Sequence, residues 1–279
     1  MSIPLPARQA IATTPPRPPL NIFAPLLAGP LHRPHIWWGL AWSDVVQSYR
    51  RTFFGPFWIT LNLVIFAMAI TLVFGSVFKV PSLDYAGYVV CGMIPWMWVS
   101  SMLSEVGNTF IVYGQFLRAT PIDKAFFIWV AVCKQAITLV HQLIVWAGLV
   151  VIGLVQPTLY TLLVIPALAV LFVMSVPFAA MAAILFARYR DLPRLVTGSI
   201  VIVMMVTPIF WREDMISGWR TAFVYLNPIH YIIDFVRHPL LGEPPGMLTT
   251  AVVLGITAAL WLLGSLFYNR YQKYVVFWI

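Results

Sequence analysis

Apolar positions gather into six long runs, at residues 57–78, 85–104, 125–153, 160–187, 195–211 and 247–267. Crossing the hydrocarbon core of a bilayer takes about 20 helical residues. Each run is therefore read as one transmembrane helix. The fifth is the shortest and has Thr207-Pro208 near its end. The third and fourth are long enough to tilt or to extend beyond the bilayer. Ahead of the first run, IWWGLAWSDVVQSYRRTFFGPFW (36–58) has a mixed pattern. Trp37, Leu40, Ala41, Val45 and Tyr49 recur at helical spacing, with Ser43, Asp44, Gln47, Arg50 and Arg51 opposite. This pattern predicts an amphipathic helix in the plane of a membrane surface, after which Gly55-Pro56 turns the chain into the bilayer.

Two gaps carry structure of their own. EVGNTFIVYGQFLRATPIDK (105–124) predicts a short amphipathic helix through Asn108, Phe110, Ile111, Gln115, Phe116 and Leu117, ended by Ala119-Thr120-Pro121. TAFVYLNPIHYIIDFV (221–236) is largely apolar, but Asn227-Pro228 divides it into pieces too short to span. Two short re-entrant helices are expected there. A seventh span is the competing reading, and it would move Arg270 and Lys273 to the opposite side. The fold class is thus an all-α membrane protein. It has six transmembrane helices, an N-terminal interfacial helix, and re-entrant gate helices between the fifth and sixth spans.

Composition supports a polytopic chain. It is 61% hydrophobic and 9% charged, where soluble domains carry about a quarter charged residues. The net charge of +8 sits in short loops beside apolar runs, which argues against a nucleic-acid groove. Of the Lys and Arg, only Lys79, Arg212, Arg220 and Arg237 fall on one side and Lys134 falls inside a run. The others share the second side, so both termini are expected in the cytoplasm. Residues 1–34 hold nine prolines and predict a flexible cytoplasmic tail. Residues 35–56 form the interfacial helix and gate loop, and 57–279 the transmembrane domain. Cys91 and Cys133 lie within apolar runs with no metal-type spacing. No cleavable signal is expected, because the first long apolar run starts more than fifty residues in.

Candidate chemistry is sparse. No Gly-Lys dipeptide occurs, so no P-loop is present, and there is no HExxH or Cys/His cluster. Any nucleotide must come from a separate subunit. Histidines and acids are scattered among loops, apart from His141. Lys134, Thr138, His141 and Gln142 share one helix face and suggest a polar seam or a channel wall. RYRDLPR (188–194) carries Arg188, Arg190 and Arg194, which set topology or offer guanidinium forks to a phosphate. Aromatic residues make up 15% of the chain. Trp and Tyr near span ends belong by default to interfacial belts. A channel wall of such rings would instead stack on sugars.

The order YRRTFFGPFW (49–58), RYRDLPR, TPIFW (207–211), LNPIHYIIDFVRHPLLG (226–242) and YQKYVVFWI (271–279) resembles the permease subunit of type-2 ABC exporters for O-antigen and capsular polysaccharide. The likeness covers about residues 36–279. It implies a homodimer in the bacterial inner membrane joined to two ATPase subunits, which would hold ATP and Mg²⁺. It implies a polysaccharide on undecaprenyl diphosphate as cargo, passed from cytoplasm to periplasm. Arg50 and Arg51, with Tyr49 beside them, would hold the diphosphate at the gate. Trp58, Tyr88, Trp96, Phe210 and Trp211 would line the channel. Residues 105–124, with Asn108, Phe110, Gln115 and Phe116, would form a coupling helix for the ATPase, and Asn227 and Pro228 would mark the periplasmic gate. Arg188, Arg190 and Arg194 would form a cytoplasmic basic loop. A permease for a small hydrophobic molecule, or for teichoic acid or lipo-oligosaccharide, is the alternative. A membrane-embedded glycosyltransferase would need acidic or histidine side chains converging in a loop, and the sequence shows no convincing set.

Overall fold

The computed structural model describes residues 22–27, 34–78, 82–120, 122–215 and 217–279, without the side chains of 82–84, 214 and 220. Most of the proline-rich tail and Lys79 lie outside the described residues. Those residues hold helices and no strand. Helix α1 spans Pro34–Ser48, α2 Phe57–Phe78 and α3 Ser82–Ser104. A turn at Val106–Asn108 leads to short helices α4, Thr109–Val112, and α5, Gly114–Ala119. Helix α6 spans Lys124–Val151, α7 Val164–Arg188 and α8 Leu192–Val206. Then come α9, Thr221–Tyr225, α10, Pro228–Leu241, α11, Met247–Tyr271, and α12, Val275–Trp278.

Among the described residues, five helical stretches are long and apolar enough to cross a membrane. They correspond to the predicted first, second, third, fourth and sixth runs. The predicted fifth becomes α8, which has only 15 residues because the chain leaves helical geometry at Thr207, before Pro208. The chain is a multi-pass membrane protein.

Helix α3 sits at the centre, packed against α2, α6, α8 and α10. It is buried on nearly all faces from Tyr85 to Val99. Helix α2 behaves differently. Only its stripe Ile59, Leu63, Ala67, Thr71, Gly75 is buried, one residue per turn. Ile65, Met68, Leu72 and Val77 stay exposed, as suits a helix with lipid or another chain on its outer side.

Helices α7 and α11 meet closely because α11 has Gly264 at the crossing. A Cβ there would lie 2.7 Å from Pro177 Cβ and 2.9 Å from its carbonyl oxygen. Asp123 caps α6, its carboxylate accepting from the Ala125 amide at 3.0 Å.

The predicted N-terminal helix forms as α1, and its apolar side meets protein. Ala41 and Val45 pack on Val130, Cys133 and Ile137 of α6. The exposed side carries Trp38, Trp42 and Val46, so α1 is apolar on two sides. Part of the predicted flexible tail is also docked. The Trp129 indole donates to the Leu26 carbonyl at 2.9 Å, and Leu26 is fully buried.

Candidate functional site

A cleft of about 670 Å³ opens between α2, α3, α6 and α8. Its α2 wall includes Asn62, Ile65 and Phe66, and α3 contributes Trp96, Ser100, Ser101 and Ser104. From α6 come Gln135, Thr138 and Gln142. The Gln135 amide donates to Glu105 Oε2 at 3.1 Å. The Gln142 amide nitrogen reaches only Met97 Sδ at 3.4 Å, and its buried Oε1 has no partner. A buried, unpaired amide oxygen costs about 1–3 kcal/mol. The expected polar face of the third run therefore divides. Thr138 and Gln142 line this cleft. Lys134 lines a second one, of about 380 Å³, together with Asp44 and Tyr113. His141 turns its Nδ1 to the Ile137 carbonyl within its own helix.

Tyr49 joins the cleft to the elbow. There the chain reverses at Arg51, the one non-glycine residue with positive φ (67°) among the described residues, and again at Gly55 (φ 56°). The left-handed region costs a non-glycine residue roughly 1–3 kcal/mol. Arg50 and Arg51 are both exposed. Phe53 and Phe54 pack edge to face, and Phe54 does the same with Trp58.

The five expected channel aromatics are not in one place. Only Trp96 lines the cleft. Trp58 belongs to the elbow. Phe210, buried against Phe74 at 5.2 Å between rings, and Trp211 line a separate apolar hollow of about 580 Å³ at the far end of α2. Tyr88 accepts a hydrogen bond from Arg237 at 2.7 Å and donates to the Trp211 carbonyl at 3.1 Å. The three sites succeed one another along α2, from Trp58 through Asn62 and Phe66 to Phe74 and Phe78.

Other expected sites are rearranged. The 105–124 segment is not one amphipathic helix. It breaks at Tyr113, whose hydroxyl donates to Asp44 and whose ring stacks on Phe127 at 4.9 Å. Phe110 is fully buried and Asn108 bonds back to the Ser104 carbonyl at 2.7 Å. Gln115 and Phe116 are exposed and available to a partner. In the basic loop, Arg190 donates to the Trp278 carbonyl at 2.8 Å, and the Arg188 guanidinium lies 5.1 Å from the Trp278 ring. Arg118 donates to the Ile279 carbonyl. Two of the three loop arginines thus meet the segment 275–279, and the exposed Arg194 side chain has no hydrogen bond among the described residues. Asn227 caps α10, accepting from the Ile229 amide at 3.0 Å while donating to Thr207 at 2.8 Å. Pro228 opens that helix, where its missing amide proton is not needed.

A model of the ABC-2 type transporter family matches residues 36–241, which take in the elbow, the cleft and α10. The chain belongs to that family. An O-antigen export system permease protein RfbA of Klebsiella pneumoniae is 27% identical over 68% of this chain and 74% of its own length. A second protein of that name from the same organism is 25% identical with the same coverage. One from Myxococcus xanthus is 21% identical over 84% of this chain and 92% of its own length.

One group in this ABC-2 chain escaped sequence reasoning. Arg237 was expected in a loop, as a topology-setting charge, and is instead 3% exposed. It donates to the Pro208 carbonyl at 2.6 Å and the Ile209 carbonyl at 3.2 Å. Its Nη1 also lies 3.4 Å from Asp234 Oδ1. The guanidinium ties α10, the 207–211 turn and Tyr88 of α3 together. Around it converge Asp234, His230 and Glu213. The signal was present: His230, Asp234 and Arg237 sit at i, i+4 and i+7, one face of a helix. Glu213 comes from outside that helix, and only the fold brings it in.

Proposed function

We propose that this chain is the membrane permease of an exporter that passes a lipid-linked polysaccharide of the O-antigen type across the bacterial inner membrane. The observation that carries the reading is the α2–α3–α6–α8 cleft. It combines a tryptophan face with hydroxyl and amide groups, one of them unpaired. Rings offer apolar C–H stacking to sugars, and the amides offer exchangeable hydrogen bonds. The names of the relatives agree in pointing to O-antigen export.

In this reading two copies face each other across the apolar sides of α2 and α8. Helix α8, about 22 Å long, completes a sixth crossing, and both termini are cytoplasmic. Arg50 and Arg51 hold the diphosphate of the carrier lipid at the elbow, where the membrane edge strengthens the attraction. Gln115, Phe116 and the rest of α5 meet a separate ATPase subunit, which supplies ATP and Mg²⁺ chemistry. Helices α9 and α10 gate the periplasmic end. Movement of the ATPase pair parts the two copies, and the glycan slides past Trp96 without being trapped.

The test is complementation of a deletion strain, with surface glycan read on gels. Wild type restores long-chain glycan at the surface. Arg50→Ala/Arg51→Ala assembles normally but leaves glycan inside the cell. Full export by that variant refutes the role of the two arginines, and unchanged surface glycan in the deletion strain refutes the function itself.

A further inference from the structure

The end of the bundle farthest from the elbow holds a buried group with unbalanced hydrogen bonding. His230 Nε2 lies 3.4 Å from Glu213 Oε1, and His230 Nδ1 lies 3.4 Å from Asp234 Oδ2. Both ring nitrogens therefore face a carboxylate. A neutral imidazole has one N–H and can serve only one of them. The other contact sets a lone pair against an anionic oxygen, and Nδ1 is buried with no hydrogen-bond partner. Charge gives the same count. Glu213 and Asp234 bring two negative charges, and Arg237 answers one of them at 3.4 Å. Arg212 is exposed and lies over the Tyr88 ring at 5.1 Å. His238, one turn beyond Asp234, spends its Nδ1 on the Asp234 backbone carbonyl. The arrangement is short of one positive charge and one hydrogen.

We infer that Glu213, His230 and Asp234 form a one-proton site, which latches the segment around Glu213 onto α10. With the proton bound, both ring–carboxylate contacts or a carboxyl–carboxylate contact become hydrogen bonds. Without it, like charges and an opposed lone pair push Glu213 away. Glu213 is the member free to leave. Its side chain is 36% exposed against 4% for His230 and 8% for Asp234. Burial pushes the carboxyls of Glu213 and Asp234 above the usual carboxylate range and holds His230 below the usual imidazole value. Both directions place the proton on the carboxyl pair. The three ligand types would also suit a divalent metal. A metal would bring two charges beside the Arg237 guanidinium, where one suffices, and the count favours the proton.

The experiment uses the full chain in lipid nanodiscs, so it is independent of whether a glycan is exported. Amide hydrogen exchange around residues 209–217 is compared between wild type and Glu213→Gln at each pH, from about 5 to about 8. The amide of Gln carries the missing hydrogen permanently. The variant should match wild type at the acid end and be several-fold more protected at the alkaline end. Infrared spectra should show a protonated-carboxyl band in wild type within this pH range, lost in Glu213→Gln. Equal exchange at every pH, or no such band, overturns the latch. Stoichiometric zinc or manganese retained by the purified chain and lost in His230→Gln overturns the proton in favour of a metal.

Discussion

Arg237→Leu is the sharpest test of how the far end is held. The side chain is 4% exposed. It donates to Tyr88, Pro208 and Ile209 at 2.7, 2.6 and 3.2 Å, and its carbon Cζ lies 4.4 Å from the centre of the Tyr88 ring. Leucine fills part of the volume but takes the guanidinium away from two carbonyls, the Tyr88 hydroxyl and Asp234. Breaking a buried pair from one side costs about 3–5 kcal/mol. Bonds within a membrane average less, about 0.6 kcal/mol, so the lower half of that range is the better expectation. At roughly 2–4 °C per kcal/mol for a chain of this size, the apparent melting temperature in detergent should fall by about 6–16 °C. Arg237→Lys should lose about half as much, because an ammonium keeps the charge but not the fork. Adding Asp234→Asn to Arg237→Leu should recover part of the loss, since it removes the orphaned anion. A drop of less than about 2 °C for Arg237→Leu, or strictly additive effects in the double variant, would refute the clamp.

Other expectations follow from single contacts. Gly92→Ala would place a methyl 2.5 Å from Arg237 Nη2 and 2.9 Å from the Ile209 carbonyl. It should cost about 1–3 kcal/mol, read as a lower melting temperature, with a smaller further loss once Arg237 is already leucine, because the Ile209 carbonyl contact remains. Gly264→Ala should separate α7 from α11 at a similar cost, seen in the same melting assay. Gln142→Leu removes the unpaired oxygen, so stability should hold or rise by about 1 kcal/mol while glycan export slows. Arg51→Gly should relieve the left-handed backbone by about 1 kcal/mol in thermal melts yet lower export. A rise in both would show that the charge has no role.

Much of the architecture was legible because apolar run length is a local property. Residues 57–78 are expected as a helix and α2 has those bounds, with Gly55-Pro56 marking its start. The break at Asn227-Pro228 was equally plain, because proline acts on its immediate neighbours. The short α8 was less so. The run 195–211 is largely apolar, but Pro208 and the bonds from Arg237 to carbonyls 208 and 209 pull its last residues out of the helix.

Side-chain destinations were not legible. Pattern marked the apolar face of α1 but could not say that α6, rather than lipid, would cover it. It grouped Trp58, Tyr88, Trp96, Phe210 and Trp211 by ring chemistry, and packing sent them to three levels along α2. Arg237 counted as a loop cation until the fold enclosed it, and Glu213 met His230 and Asp234 only through tertiary contact. Composition and periodicity determined a polytopic helical chain, because lipid solvates each helix separately. Which polar groups face one another depends on how those helices are placed side by side, and that is decided by contacts between residues distant in sequence.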